Sequence, residues 1–172
     1  MTMKTVARID RKPSRISRLA RMRPGQLSLL VEAVTALASA RLIIAARSPA
    51  QLMPRLGRVI ADDLPADCPA PDVGDGDRAG QVSWAIRCAA ANVPFRAMCL
   101  EQALAARAML DRRNIAATVH YGVAAGADGG LIAHAWAHVA GQPITGYPLR
   151  RAFHEIARFA SHRVQDAPHD VG

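Results

Sequence analysis

Apolar residues follow a helical period in the first third of the chain, over residues 26–47. The residues that recur at three- and four-residue spacing, as on one face of an α-helix, are Leu30, Val34, Leu37 and Ile44. The segment is nearly as long as the roughly 20 apolar residues that cross a bilayer. However, Glu32 and Arg41 lie inside it, and a charge at the centre of a membrane helix costs about 2.5–3.5 kcal/mol. The pattern therefore predicts a buried or partner-facing helix that Pro49 ends, and no transmembrane span.

A second and denser pattern begins near residue 80. Residues 81–91 and 97–113 have helical spacing, with a break at Pro94. Three strand-like runs with glycine-containing turns between them follow, at residues 116–124, 131–140 and 142–147. A helix followed by strands that meander over it predicts an α+β fold. Residues 151–159 predict one further helix.

Composition divides the chain of 172 residues into four parts. Residues 1–25 form a basic arm, and residues 26–61 form a helical segment with a second short helix at its end. Residues 62–79 are rich in proline, glycine and aspartate, which is typical of a linker or surface loop. Residues 80–172 form the domain that carries the candidate chemistry. This length fits one compact domain with an arm.

Most of the excess positive charge lies in the basic arm. The chain carries a net charge of +8, and residues 1–25 contain eight Lys or Arg residues and one Asp. An acidic partner, a membrane surface and nucleic acid are open as contacts for this arm, beside the simpler interpretation of a solvated tail. Because aromatic residues make up only 4% of the chain, a platform that stacks nucleic-acid bases is not expected.

The cysteines indicate the compartment. The chain has three, Cys68, Cys88 and Cys99, and the basic N-terminus is not followed by the short apolar run of a secretory signal. An odd number of cysteines without such a signal favours reduced thiols and a cytoplasmic location.

Two residues, Cys99 and His134, form the candidate reactive pair. Cys99 lies near the start of a predicted helix, where free backbone N–H groups stabilise a thiolate. His134 lies in the middle of a predicted strand, and an imidazole next to a thiolate can hold the ion pair and protonate a leaving group. Spacing alone is equally consistent with a small buried side chain and a hydrogen-bonded strand histidine.

A metal site is the alternative use of these residues. His134 and His138 lie four residues apart on a predicted strand and therefore share a face. With Cys99 or His120 they could bind a metal. No paired ligand motif supports this, so no metal is expected.

The second half of the chain resembles the transglutaminase-like cysteine peptidases of lasso peptide biosynthesis, the leader-peptidase B proteins. The resemblance covers residues 83–146, and the apolar helix before them is similar to the lead-in segment of the stand-alone forms. The positions that carry it are Trp84, Pro94, Cys99-Leu100 with Ala103, His120-Tyr121-Gly122-Val123 and His134-Ala135-Trp136.

The resemblance implies a transglutaminase- or papain-like core in which the helix that carries Cys99 packs on a small antiparallel sheet. It implies Cys99 as the nucleophile and His134 as the base. An aspartate about a dozen residues later normally orients the imidazole, but residues 142–146 contain no carboxylate. Thr145, Gln142 or a backbone carbonyl could replace it, and Thr145 is the orienter that we name. The substrate-binding residues that we expect are Trp84, Trp136 and Tyr121.

The resemblance also implies a function and partners. The substrate would be a ribosomally made lasso precursor peptide, cut between leader and core without a cofactor. A separate leader-recognition protein would supply leader recognition, since residues 1–79 lack the strand alternation of a winged-helix domain. An asparagine-synthetase-like cyclase would then close the ring. A catalytically weak or silent module that binds precursor peptide for the cyclase is the second hypothesis, and a basic nucleic-acid binder is the third.

Overall fold

The computed structural model describes residues 22–48, 51–52, 56, 58–59 and 74–160. Within them the elements are α1 (Pro24–Ala46), β1 (Arg58–Val59), α2 (Asp75–Ala90), α3 (Cys99–Asp111), β2 (Thr118–Ala125), β3 (Leu131–Val139), β4 (Gln142–Thr145) and β5 (His154–Ala160). The strands form one antiparallel sheet in the order β1-β5-β2-β3-β4. The predicted α+β class is confirmed. Most of the basic arm, much of the predicted linker and Cys68 lie outside the described residues.

Helix α1 packs against α2 and α3, and its two internal charges are paired. Glu32 bonds to Arg113 and Arg112 just after α3, with its Oε1 2.9 Å from Arg112 Nε. At the other end, Arg41 Nη1 lies 3.0 Å from Oε1 of the buried Glu101 in the first turn of α3. The two ion-pair sites fix α1 antiparallel to α3.

The buried face of α1 matches the predicted stripe except at Val34: Leu37 is fully buried, and Leu30 and Ile44 are partly buried against the core. The buried residues are Leu29, Ala33, Ala36, Leu37 and Ala40, whereas the predicted Val34 is 39% exposed. Alanines at 33, 36 and 40 let the helices approach closely, and the bulkier Val34 is left outside the contact. Helix α1 is long enough to cross a membrane, and its mean hydropathy reaches 1.9 over 18 residues. Buried core helices can have the same length and hydropathy, so these two properties are weak evidence for a membrane span.

The sheet has two distinct faces. On the face that we call the core face, Val119, Ala135, Ala137 and Val139 belong to the same buried cluster as the helical residues. Residues directly opposite each other in an antiparallel pair point to one side, and His120 pairs with Trp136 while Thr118 pairs with His138. Alternation along β3 therefore puts His134, Trp136 and His138, together with His120, on the opposite face, which we call the open face.

Three local predictions were wrong. Residues 151–159 were expected to be helical, but residues 154–160 form β5, because pairing with β2 and β1 overrides the helix propensity of this segment. Residues 58–59 form β1 inside the predicted short helix for the same reason. Helix α2 begins at Asp75, within the predicted linker. Asp75 and Asp77 lie in its first turn, where carboxylates favour a helix start.

Candidate functional site

Cys99 is the first residue of α3. Residue Met98 before it is extended, and no side chain caps the helix. The first intrahelical bond runs from Gln102 N to Met98 O, so the N–H groups of the first turn are available to a ligand. Among the described residues Cys99 is a free, half-buried thiol that packs against the edge of the core. This agrees with the expected cysteine at a helix start.

The ring of His134 is held on the open face. Its Nε2 lies 2.8 Å from the carbonyl oxygen of Gly146, and because a carbonyl only accepts, Nε2 carries a proton. Phe153 stacks on the ring at 4.9 Å between centroids, and Trp136 lies 6.1 Å away. When His134 is neutral, its remaining lone pair is therefore on Nδ1.

The Gly146 carbonyl contacts His134 where the sequence analysis had named the Thr145 hydroxyl. Thr145 is buried, and its Oγ1 has no hydrogen-bond partner among the described residues. The Gln142 amide lies beside Gly76 and Gly80 at the start of α2. A backbone carbonyl, one of the three alternatives, is thus the group on the ring. It fixes the tautomer but carries no charge to stabilise imidazolium.

Cys99 and His134 lie on different elements, at the start of α3 and on the open face of β3. Ala135 and Ala137 contribute to the core that contains residues of α3, so the His134 ring points to the other side of β3. In the part of the chain that the structure describes, no hydrogen bond joins the two side chains.

The three residues expected to bind substrate lie in three places. Trp84 in α2 lines an open cavity of about 710 Å³ with Gln26 and Leu29 of α1. Trp136 is buried on the open face. Tyr121 is half-buried and packs against the core. They do not form one pocket.

Sequence reasoning missed a chain of polar residues on the open face. Glu155 Oε2 lies 2.8 Å from His120 Nδ1, and His120 Nε2 lies 3.2 Å from His138 Nδ1. His138 Nε2 contacts the hydroxyl of Tyr147. Trp136 stacks flat on His120, with centroids 5.4 Å apart. Alternating rings at 134, 136 and 138 were a signal for a shared face, but the position of Glu155 depends on the register of β5.

This environment shifts three of the pKa values. Burial opposes ionisation of Glu155, but hydrogen bonds from His120 and Arg158 lower the pKa of this carboxyl. Burial lowers the pKa of His138, and the neighbouring His120 adds to the effect, while Glu155 opposes it. Burial and the charge of Glu155 raise the pKa of Tyr147. At neutral pH this hydrogen-bonded chain therefore contains the ionised carboxylate of Glu155, a neutral His138 and the protonated phenol of Tyr147.

No metal site is formed by the described ranges, which contain no group of three His, Cys, Asp or Glu residues arranged to hold an ion. The pair of His134 and His138 shares a face as expected, but the Nε2 of each ring bonds to a neighbouring protein group.

Comparison with known proteins gives one match. Residues 43–158, about two thirds of the chain, match the family model described as the Transglutaminase-like superfamily. The match includes Cys99 and His134. No curated protein and no solved structure matches.

Proposed function

Because this chain belongs to the transglutaminase-like superfamily, we propose that it is a cysteine peptidase that removes the leader from a ribosomally made lasso precursor peptide. The observation that carries the proposal is the position of Cys99 as the first residue of α3, inside the matched region. The motif positions listed above support the finer assignment to leader peptidases.

Cys99 would act as the nucleophile. Its sulfur bonds to the carbonyl carbon of the scissile peptide bond, and free N–H groups of the first turn of α3 stabilise the oxyanion. Collapse of this intermediate breaks the C–N bond, a proton passes to the leaving amine, and the leader remains as a thioester. Water then hydrolyses the thioester and restores the thiol.

The proton that reaches the leaving amine comes from the thiol of Cys99, and a base must carry it. His134 is the base that the resemblance implies, but its ring lies on the open face, away from α3. Catalysis by the pair would require the Cys99 sulfur and the Nδ1 of His134 to come within hydrogen-bond reach. The Gly146 carbonyl would then orient the imidazole.

This placement favours a second candidate function. A transglutaminase-like module in which the histidine bonds to a backbone carbonyl instead of a carboxylate, and not to the cysteine, would bind precursor peptide without cutting it. Such a module would present the precursor to the cyclase. For both candidates we propose a cytoplasmic location. The proposed partners of both are a separate leader-recognition protein and an asparagine-synthetase-like cyclase.

Mass spectrometry of a candidate precursor tests the two functions. The precursor is incubated with the wild-type protein, with Cys99→Ala and with Cys88→Ala, which removes the other free thiol of the described residues. The peptidase predicts cleavage by the wild type and by Cys88→Ala, and none by Cys99→Ala. Binding of the intact precursor by all three proteins, with no cleavage, would favour the silent module. Cleavage by Cys99→Ala at the wild-type rate would exclude Cys99 as the nucleophile.

A further inference from the structure

The hydrogen-bonded chain on the open face has a defined direction. The ionised carboxylate of Glu155 only accepts, so His120 carries its proton on Nδ1. When His120 is neutral, the lone pair on its Nε2 accepts the Nδ1–H of His138. This leaves a lone pair on His138 Nε2, which faces the hydroxyl of Tyr147. Each group thus donates towards Glu155, and the phenol lies at the outer end.

We propose that His138 is a general base for the phenol of Tyr147, and that Tyr147 is a nucleophile for activated acyl groups at the open face. A nucleophile within hydrogen-bond reach of a base, which a third group orients, is the arrangement that activates a hydroxyl. Here His120 is the orienting group, and Glu155 fixes its tautomer. The proposal goes beyond the peptidase function, since it does not involve Cys99.

The step balances without a cofactor. The oxygen of Tyr147 forms a bond to the carbonyl carbon of an activated ester, thioester or acyl-imidazole, while the phenolic proton passes to His138 Nε2. The bond between that carbon and its leaving group breaks, and the proton on His138 transfers to the leaving group. The charge of Glu155 favours the protonated ring, since it opposes the lowering of the pKa of His138 by burial and by His120.

The surroundings fit this role. The raised pKa of Tyr147 means that free tyrosinate is scarce at neutral pH, so attack needs a base. The lowered pKa of His138 keeps that base neutral and able to accept a proton. Tyr147 is 37% exposed, which allows an acyl donor to reach it. Trp136 stacks on His120 with the rings 5° from parallel and holds the orienting group in place.

Acetylation by N-acetylimidazole tests the proposal on the full chain. Trypsin releases residues 114–150 as one peptide that contains both tyrosines of the protein. Fragmentation then separates acetylation of Tyr147 from that of Tyr121, which packs towards the core on the other face and serves as the internal reference.

In His138→Gln, acetylation of Tyr147 should be about 10²-fold slower than in the wild type, which is the usual size of general-base assistance. Glu155→Gln should lower the rate in the same direction. The matched control is His154→Gln, the same substitution at an exposed neighbour of Glu155, and it should leave the rate unchanged. An equal rate at Tyr147 in the wild type and in His138→Gln would overturn the proposal.

The wild-type pH profile gives a second test that needs no variant. Assisted acetylation of Tyr147 should rise as His138 loses its proton and level off below neutral pH, because the pKa of His138 is lowered from the ordinary 6.5. A rate that instead rises continuously up to the titration of the phenol would show that the phenol reacts without a base.

Discussion

The Nε2 of His134 donates a hydrogen bond to the backbone carbonyl of Gly146 at 2.8 Å, the role for which the resemblance implied a carboxylate. The backbone of Gly146 is left-handed, with φ of 83°. A Cβ at this position would lie 2.5 Å from the carbonyl oxygen of Ala135 and 2.6 Å from Cβ of Trp136. A side chain at 146 therefore cannot be accommodated unless the backbone moves.

Gly146→Ala should accordingly destabilise the fold more than its backbone conformation alone predicts. A left-handed backbone at a residue other than glycine lowers the free energy of unfolding by about 1–3 kcal/mol. The clash of the added Cβ with Ala135 and Trp136 of β3 should lower it further. Gly141→Ala is the matched control, since Gly141 has φ of 77° and nothing within 4 Å of its added Cβ. Urea unfolding of both variants measures the difference. Equal losses of unfolding free energy would show that the contact at 146 relaxes without cost.

The sequence predicted β2, β3 and β4 but not which side of them the helices cover. Alternation in residues 131–139 correctly groups His134, Trp136 and His138 on one face. The resemblance led us to expect that face beside the cysteine helix. In the structure the small side chains of Ala135 and Ala137 are buried against the helices, because alanines permit close helix-on-sheet packing while the rings need more room.

Sequence patterns also could not predict contacts between segments that are distant in the chain. The start of α3 at Cys99 is a local property and was predicted within two residues. The bond between Glu155 and His120 joins residues 35 positions apart and depends on an irregular register between β2 and β5. Local propensity even favoured a helix for that segment, since strand formation there is decided by the neighbouring strands.

Packing of α1 on the domain is testable with two leucines of the same helix. Leu37 is fully buried and Leu42 is 70% exposed. Leu37→Ala should lower the free energy of unfolding by about 2–5 kcal/mol, the usual cost of this truncation in a core. Leu42→Ala should change it by less than about 0.5 kcal/mol. Similar small effects for both variants in denaturant titrations would show that α1 does not contribute to the core of the isolated protein.

The ion pair between Glu32 and Arg113 should make stability depend on pH. The hydrogen bond from Arg113 lowers the pKa of Glu32, with Arg112 adding to it, although burial opposes the shift. A carboxyl with a lowered folded-state pKa contributes stability above its ordinary value of 4.5, and this contribution is lost as the pH falls below that value through the folded pKa.

Glu32→Gln should therefore cost about 1 kcal/mol at pH 7, since the group is partly exposed and solvent screening limits the gain. The difference from the wild type should be smaller at pH 3 than at pH 7, and it should approach zero as the pH falls through the folded-state pKa of Glu32. Asp77→Asn, which changes an exposed carboxylate, is the control and should cost only a few tenths of a kcal/mol. A Glu32→Gln deficit that is the same at both pH values would mean that the charge of Glu32 does not stabilise the fold.

Selective alkylation of Cys99 is the prediction that separates an enzyme from a silent module. Cys88 and Cys99 are both half-buried free thiols, so exposure alone predicts similar rates with iodoacetamide. Cys99 lies at the first position of α3, where free N–H groups stabilise negative charge on the sulfur, whereas Cys88 lies in the last turn of α2. We therefore expect Cys99 to react several-fold faster, as read from the modified peptides by mass spectrometry.

His134→Gln adds the decisive comparison: if the imidazole approaches the sulfur in solution, this variant should slow the alkylation of Cys99 and leave that of Cys88 unchanged. An unchanged rate at Cys99 would mean that the imidazole of His134 does not act on the sulfur, as expected of a module that binds the precursor without cutting it.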